Sequence, residues 1–298
     1  MRSVISASKR TDIPAFYLKW FADRVHSGSV DVPNPLFRNS VRHVSLLPAD
    51  VGGIVFWSKN YAVFERMRYA FDPYELFFQF TINPPNTLLE PDVIDTAEAV
   101  RQMTFLARAY GAERIAWRYD PIVCWRRNNH DETNYDLGWF ERMCGAMEDI
   151  GITRCFTSFA DLYARFRMRV ARTYPEVTLT DPPDEQKRAW ATSLLACASA
   201  HHIQLAACAE EAIEGVCAGG SVLGRGACVD GRLLNTLLGA SHGSGVSIAA
   251  ASDRKVASRA ACGCTAMVDI GDYVTHECGY ACLYCYANPN HRRFIKLR

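Results

Sequence analysis

Along the chain, short runs of apolar, β-branched and aromatic residues recur, and each gives way to a polar cluster. RSVISAS runs into KRTD, GGIVFW into SKN, ELFFQFTI into NPP, RIAWRY into DP, TRCFTSF into AD, and HIQLAAC into AEE. Apolar runs of this length, bounded by turn formers, predict strands. Between them, PAFYLKWFADRVHSG, VIDTAEAVRQMTFLARAYG, LGWFERMCGAMEDIG and DEQKRAWATSLLACASAH have helical character. Two end on glycines, Gly111 and Gly151, the residue a helix C-cap prefers. Strand and helix alternate at least five times with no sequence repeat and no linker rich in proline and serine. That order predicts an α/β fold with a parallel sheet.

A closed barrel and an open doubly wound sheet both fit this alternation. The strand ends favour a barrel, because barrels gather function at the carboxyl ends of their strands. Here those ends carry Lys9, Arg10 and Asp12; Trp57, Lys59 and Asn60; Thr81 and Asn83; Arg118 and Asp120; Ser158 and Asp161; Cys208 and Glu210. Any one of them can equally be a turn or N-cap residue. For Arg118 and Asp120 function is favoured, since RYDP follows an apolar run and an unpaired charge there would be costly. Residues 215–250 break the pattern: their glycine density predicts irregular backbone, mainly a loop carrying Cys228.

Composition narrows the classes. The chain of 298 residues is 49% hydrophobic and 22% charged, which is enough apolar mass for one large core and admits a single large domain. A net charge of +1 provides no global field for nucleic acid or membrane, and the one basic cluster, HRRFIKLR, reads as a solvated tail. MRSVISASKRTDIP lacks a signal-peptide core and no run of eighteen apolar residues occurs, so a cytoplasmic protein without membrane partners is expected. In a reducing compartment, twelve cysteines point to metal or redox chemistry rather than a disulfide framework.

The sharpest pattern is HECGYACLYCYANPN, in which Cys278, Cys282 and Cys285 are spaced C-x3-C-x2-C. One tight loop can present three soft thiolates to a single cluster, and a four-iron cube held by three cysteines keeps one iron open. The competing reading is a zinc knuckle completed by Cys262, Cys264 or His276, although zinc ligands more often pair as C-x2-C twice. "CGYACLYC" resembles the cluster-binding signature of the radical S-adenosylmethionine enzymes, including the aromatic residue before the last cysteine. The resemblance implies a [4Fe-4S] cluster on Cys278, Cys282 and Cys285, with S-adenosylmethionine on the open iron and Tyr284 against its adenine. It also implies cleavage to a 5'-deoxyadenosyl radical that takes a hydrogen atom from a small-molecule or peptide substrate. An electron donor such as flavodoxin or ferredoxin would be required.

That superfamily places its cluster loop near the start of the barrel, whereas here it comes near residue 280. A circular permutation reconciles the two: AMVDIGDYV would lie beside RSVISAS and bring Ser6, Ser8 and Arg10 near the cofactor. The expected fold is then a single permuted TIM-like barrel, full or partial. Residues 1–214 form its core, and residues 215–298 complete it and hold the iron-sulfur sites. The whole chain also resembles a narrower bacterial family known as a domain of unknown function. The matching stretches are ISASKRTDIPAFY, NP at Asn34 and Pro35, IVFWSKN, FQFT, WRYDPI, CAE, CVD, CGC and DIGDY.

Four further cysteines fall in those stretches: Cys208, Cys228, Cys262 and Cys264. They suit a second [4Fe-4S] cluster or a structural zinc, or are simply unligated. Cys124, Cys144, Cys155, Cys197 and Cys217 are expected to be plain small hydrophobes. Asp12, Asp120, Asp161 and Glu210 are candidate acids, bases or ribose ligands. Lys59 and Arg118 are suited to gripping a carboxylate or phosphate, or to forming a salt-bridge ring at the lip. Among these, Lys59, Arg118, Asp120 and Glu210 are the catalytic candidates. Trp57 and Trp117 are better placed as core residues than as a stacking platform. Hydrolytic motifs are lacking. Two rivals stand beside the radical enzyme: a protein whose metal is purely structural, and, by analogy with spore photoproduct lyase, a DNA-lesion repair enzyme needing a basic groove.

Overall fold

The computed structural model describes residues 2–34, 37, 39–242 and 261–287. Pro35 and the basic cluster at 291–298 lie outside the described residues. The chain begins with β1 (Ser3–Ala7), α1 (Ile13–Phe16), α2 (Leu18–Ser27) and a hairpin of β2 (Ser29–Pro33) and β3 (Val41–Ser45). Next come β4 (Val51–Ser58), α3 (Ala62–Met67), β5 (Leu76–Thr81), α4 (Thr96–Tyr110) and β6 (Ile115–Ile122). The middle of the chain holds β7 (Cys124–Arg127), β8 (His130–Thr133), α5 (Leu137–Ile150), β9 (Arg154–Phe159), α6 (Ala164–Thr173), β10 (Val177–Thr180) and α7 (Asp184–Ala200). The last part holds β11 (Gln204–Ala207), β12 (Cys217–Ala218), β13 (Ser221–Val222), β14 (Gly224–Arg225), α8 (Gly231–His242) and β15 (Val268–Asp269).

Eight strands form one sheet in the order β14-β11-β9-β6-β5-β4-β1-β15, with every neighbouring pair parallel. All eight carboxyl ends therefore lie on one edge. From β1 to β14 the spatial order is the chain order, so each crossover joins neighbouring strands. The six apolar runs of the sequence are the six longest of these strands, and α4 and α5 end on Gly111 and Gly151 at φ 97° and 86°. β15 pairs with β1 through Ile5↔Val268 and Ser6↔Asp269, so the C-terminal part adjoins the N-terminal strand. Among the described residues no ladder joins β14 to β15; the parallel α/β sheet is present, but ring closure by strand pairing is not.

Residues 215–242 differ from the expectation of irregular backbone. They form the β12–β13 hairpin, β14 and the helix α8. The glycines cluster in 215–226, where Gly215, Gly219 and Gly220 take positive φ, and the helix starts only after Asp230, from which the repeat LLNTLL supplies an apolar face.

Alternate residues of the strands face two different surroundings. Ile5, Phe56, Phe78, Phe80, Trp117, Tyr119, Cys155 and Leu205 belong to the main core, together with residues of the helices α2 to α5 and α7. The other face starts apolar in each strand, with Val4, Val55, Phe77, Ala116, Phe156 and Ala206, and packs with Leu234 of α8. Towards the carboxyl ends the same face turns polar: Ser6, Trp57, Gln79, Arg118, Ser158 and Cys208. This second face and its upper edge gather the polar and thiol side chains.

Candidate metal and cofactor site

The chain crosses the carboxyl edge of the sheet as residues 276–286. Tyr17 of the segment after β1 donates its hydroxyl to the Glu277 carbonyl (2.6 Å), and Phe16 meets Tyr280 edge-on with ring centroids 4.8 Å apart. Gly279 is needed there, because a Cβ would lie 2.9 Å from the Phe16 ring. Ala281, at φ 53°, turns the chain between the first two cysteines. On the far side the Leu283 N–H bonds to the Leu89 carbonyl (2.9 Å), and Arg169 of α6 donates to the carbonyls of Cys282 (3.3 Å), Leu283 (2.8 Å) and Cys285. The loop thus spans the edge from α1 to α6 and holds Cys278, Cys282 and Cys285 over the strand ends.

The thiol environments are distinct. Burial pushes the thiols of Cys278 and Cys282 well above the ordinary range; the backbone N–H groups of Tyr280 and Asp12 favour the Cys278 thiolate, and the Lys59 ammonium favours that of Cys282. Such N–H donors and a buried cation suit sulfur ligands that carry charge. Lys59 is paired with Glu90 at 2.8 Å; burial works against its cation, but Glu90 and Cys282 outweigh it and keep the ammonium above its usual range. Glu90 also accepts from the Asn83 amide (2.7 Å) and from the Tyr284 hydroxyl, and Lys59 lies 5.9 Å from the centre of the Tyr284 ring. Asp12 completes this corner. Its buried carboxylate caps α1 through the Ala15 N–H (2.9 Å) and accepts from Ser58 (2.8 and 2.9 Å) and from the Lys59 N–H (2.9 Å).

Ser6, Ser8 and Arg10 gather at the junction of β1 and β15 around Asp269. That carboxylate accepts from Ser6 Oγ (2.9 Å), Ser8 Oγ (2.5 Å), the Lys9 N–H (2.7 Å) and the Gly271 N–H (3.1 Å), while Arg10 donates to the Gly271 carbonyl (3.0 Å). Gly271 has no room for a side chain, since a Cβ would lie 2.2 Å from Ser8 Oγ.

On the second face of the sheet, Cys208, Cys228, Cys262 and Cys264 meet although the first and the last are 56 positions apart. Cys208 Sγ lies 3.2 Å from Cys228 Sγ, Cys228 contacts Cys264, and Cys264 contacts Cys262. The buried guanidinium of Arg118 donates to Cys228 Sγ (2.8 Å) and Cys208 Sγ (3.3 Å) and is paired with Asp120. Burial disfavours that cation, yet Asp120, Cys228 and Cys208 together hold it well above its usual range.

Of the catalytic candidates, Lys59, Arg118 and Asp120 are brought together, with Asp120 close enough to Lys59 and Tyr284 to influence both. Glu210 stays apart, accepting from the Phe159 N–H (3.1 Å) beside Lys187. All twelve cysteines are free thiols; Cys144 and Cys155 are buried in the main core and Cys217 is exposed on its hairpin. Sequence reasoning did not single out Glu90, Asp269, Gln79 or Arg169. The local signals were for Gln79, which sits in FQFT, and for Asp269, which sits in DIGDY. Among the described residues, no three His, Cys, Asp or Glu side chains surround a point as a single metal ion would require.

Residues 4–287 match the family model described as Domain of unknown function (DUF1848), and the chain belongs to that family. Comparison with curated proteins gave no match. Among the described residues, no helix is long and apolar enough to cross a membrane.

Proposed function

We propose that the protein is a radical S-adenosylmethionine enzyme whose [4Fe-4S] cluster is held by Cys278, Cys282 and Cys285. The observation that carries this reading is the C-x3-C-x2-C loop fixed across the carboxyl edge of the parallel sheet, with three cysteines and no fourth in the loop. A cube holds its thiolates on different irons, so its ligands stand farther apart than those around one ion, and a three-cysteine loop fits that donor set. When bound, the cluster would supply the electron that cleaves S-adenosylmethionine to a 5'-deoxyadenosyl radical.

The chain's own residues bind and orient. Lys59 places a buried cation beside Cys282 and offsets the negative charge of thiolate ligation. Glu90 fixes both Lys59 and the Tyr284 hydroxyl, which holds the Tyr284 ring as one wall of the site. Asp269 fixes Ser6, Ser8 and the Lys9 N–H where β1 meets β15, beside the loop that follows. We also infer that the sheet acts as the wall of a barrel permuted so that β15 stands before β1. The sequential strand order and the β1–β15 ladder support this.

The test is anaerobic reconstitution with iron and sulfide, followed by electron paramagnetic resonance of the reduced protein with and without S-adenosylmethionine. A cluster signal that shifts on adding the cofactor is expected, together with reductive cofactor cleavage that Cys282→Ala abolishes in a chain that remains folded. A signal indifferent to the cofactor, or normal cleavage by Cys282→Ala, would overturn the reading and favour a structural metal.

A further inference from the structure

The eight-stranded sheet has one weak seam. Among the described residues, β14 and β15 share no ladder, and the backbone bonds that cross this gap are Gly263 N–H to the Gly226 carbonyl (3.3 Å) and Thr265 N–H to the Val229 carbonyl (2.9 Å). The two segments that meet there are the ones that carry cysteines. Cys208 immediately follows β11, Cys228 follows β14, and Cys262 and Cys264 lead towards β15. Close approach is built in: a Cβ on Gly226 would lie 2.7 Å from the Ala207 carbonyl oxygen, and one on Gly263 would lie 2.9 Å from that of Gly226. C-G-C at 262–264 is thus the spacing that lets two thiols flank a backbone contact.

We propose that Cys208, Cys228, Cys262 and Cys264 form a four-cysteine metal centre that clasps this seam, with Arg118 as its charge partner. Three observations carry it. Four thiols from three separate segments converge in a continuous row of contacts, and Cys228 and Cys264 are almost wholly buried. The cage around them is ordered by further bonds, from Gln79 Nε2 to the Cys228 carbonyl (2.6 Å) and from the Val229 N–H to Cys264 Sγ (3.4 Å). Finally, a buried guanidinium points two of its nitrogens at sulfur. A neutral thiol is a weak acceptor, whereas a thiolate accepts a charge-assisted bond worth roughly twice a neutral one.

Four thiolates exceed the charge of either a zinc ion or a four-iron core, so a closed centre of either kind is a buried anion. Arg118, whose guanidinium donates to Cys228 Sγ and Cys208 Sγ, faces that anion. Tetrahedral metal–sulfur distances of about 2.3 Å set thiolates roughly 3.8 Å apart, so around one ion the 3.2 Å pair must open slightly, and around a cube further; in either case the row of sulfurs, no three of which surround a single point, must rearrange about the metal. A single disulfide between Cys208 and Cys228 would leave Cys262 and Cys264 without a role. With all four positions taken by cysteine the centre has no open site, in contrast to the three-cysteine loop at the edge. Arg118 is then a positioning residue for the clasp, not a group that grips substrate.

The inference does not depend on the radical reading, and the experiment separates the two. In the full chain, Cys278→Ala, Cys282→Ala and Cys285→Ala are combined, and the protein is loaded anaerobically with zinc alone or with iron and sulfide. We expect retention of about one zinc, or about four iron and four sulfide, per chain, and loss of that metal when Cys228→Ala is added. In the loaded chain, iodoacetamide should spare Cys208, Cys228, Cys262 and Cys264 and label the exposed Cys217; chelation should expose all four together and speed amide exchange across 261–270. If Cys228→Ala does not fold, this labelling pattern on the intact thiols decides the matter. Absence of metal from the triple variant under both loadings, metal that survives Cys228→Ala, or a Cys208–Cys228 disulfide in the anaerobically purified chain would overturn the clasp.

Discussion

The two faces of the sheet are made from alternate residues of the same strands, yet they follow different rules. On the helix face, Phe56, Phe78, Phe80 and Trp117 have no exposed surface and interlock with one another and with Tyr61, Phe64 and Phe140. On the cysteine face, each strand gives up apolar packing as it nears its carboxyl end, in favour of Ser6, Gln79, Arg118 and Cys208. Buried polar groups of that kind cost free energy unless each is bonded, so they persist where something other than packing is required. One face holds the sheet together; the other holds positions.

The largest effect that tests this contrast lies on the helix face. Trp117 is fully buried, stacks on Phe140 at 4.9 Å and donates its indole N–H to the Ile82 carbonyl (2.9 Å). Trp117→Ala should cost about 3–5 kcal/mol through lost burial and the cavity left behind, read as a lowered urea midpoint at unchanged slope. A loss below about 1 kcal/mol would mean that the helix face is not the chief source of cohesion.

Next in size is the junction of β1 and β15. Asp269→Ala removes the acceptor for two hydroxyls and two backbone N–H groups at once. Bonds to charged groups contribute about 1.5–3 kcal/mol each, with shared partners making them less than additive. We expect a global loss of about 2–3 kcal/mol and, more tellingly, faster amide exchange in 266–287 than in β4 or β5. Uniform exchange across the chain would show that β15 is held by the packing core and not by its carboxylate.

The helix face was readable in the sequence because its determinants are local. Runs such as ELFFQFTI and RIAWRY declare strands by their β-branched and aromatic content, and the glycines after α4 and α5 declare helix ends. The edge cysteines stood out for the same reason: three thiols within eight residues make a pattern by spacing alone. What escaped was non-local. Glu90 lies in a loop 31 positions from Lys59 and 194 from Tyr284, and Asp269 lies 263 positions from Ser6. A carboxylate in a loop carries no periodicity that announces such partners. α8 escaped because glycine density upstream outweighed the short apolar repeat of LLNTLL, and the open seam escaped because strand order does not reveal whether the last ladder forms. Arg118 and Asp120 were each expected to be functional and are paired, but the two sulfurs that share the guanidinium come from 90 and 110 positions away.

The smallest effect concerns Trp57, which separates the two faces most finely because the same residue type occurs on both. Its indole N–H donates to Ser6 Oγ (3.1 Å), and the Lys9 and Arg118 cations lie 4.9 and 5.4 Å from its ring centre. Unlike Trp117 it is only partly buried. Trp57→Phe keeps an aromatic face for both cations and deletes one hydrogen bond, so about 1 kcal/mol of stability should be lost. Trp57→Leu should lose somewhat more, because the aromatic face goes as well. If Trp57→Leu instead matched Trp117→Ala in the same denaturation series, the cysteine face would be a packing core like the other, and its polar strand ends would need a different explanation.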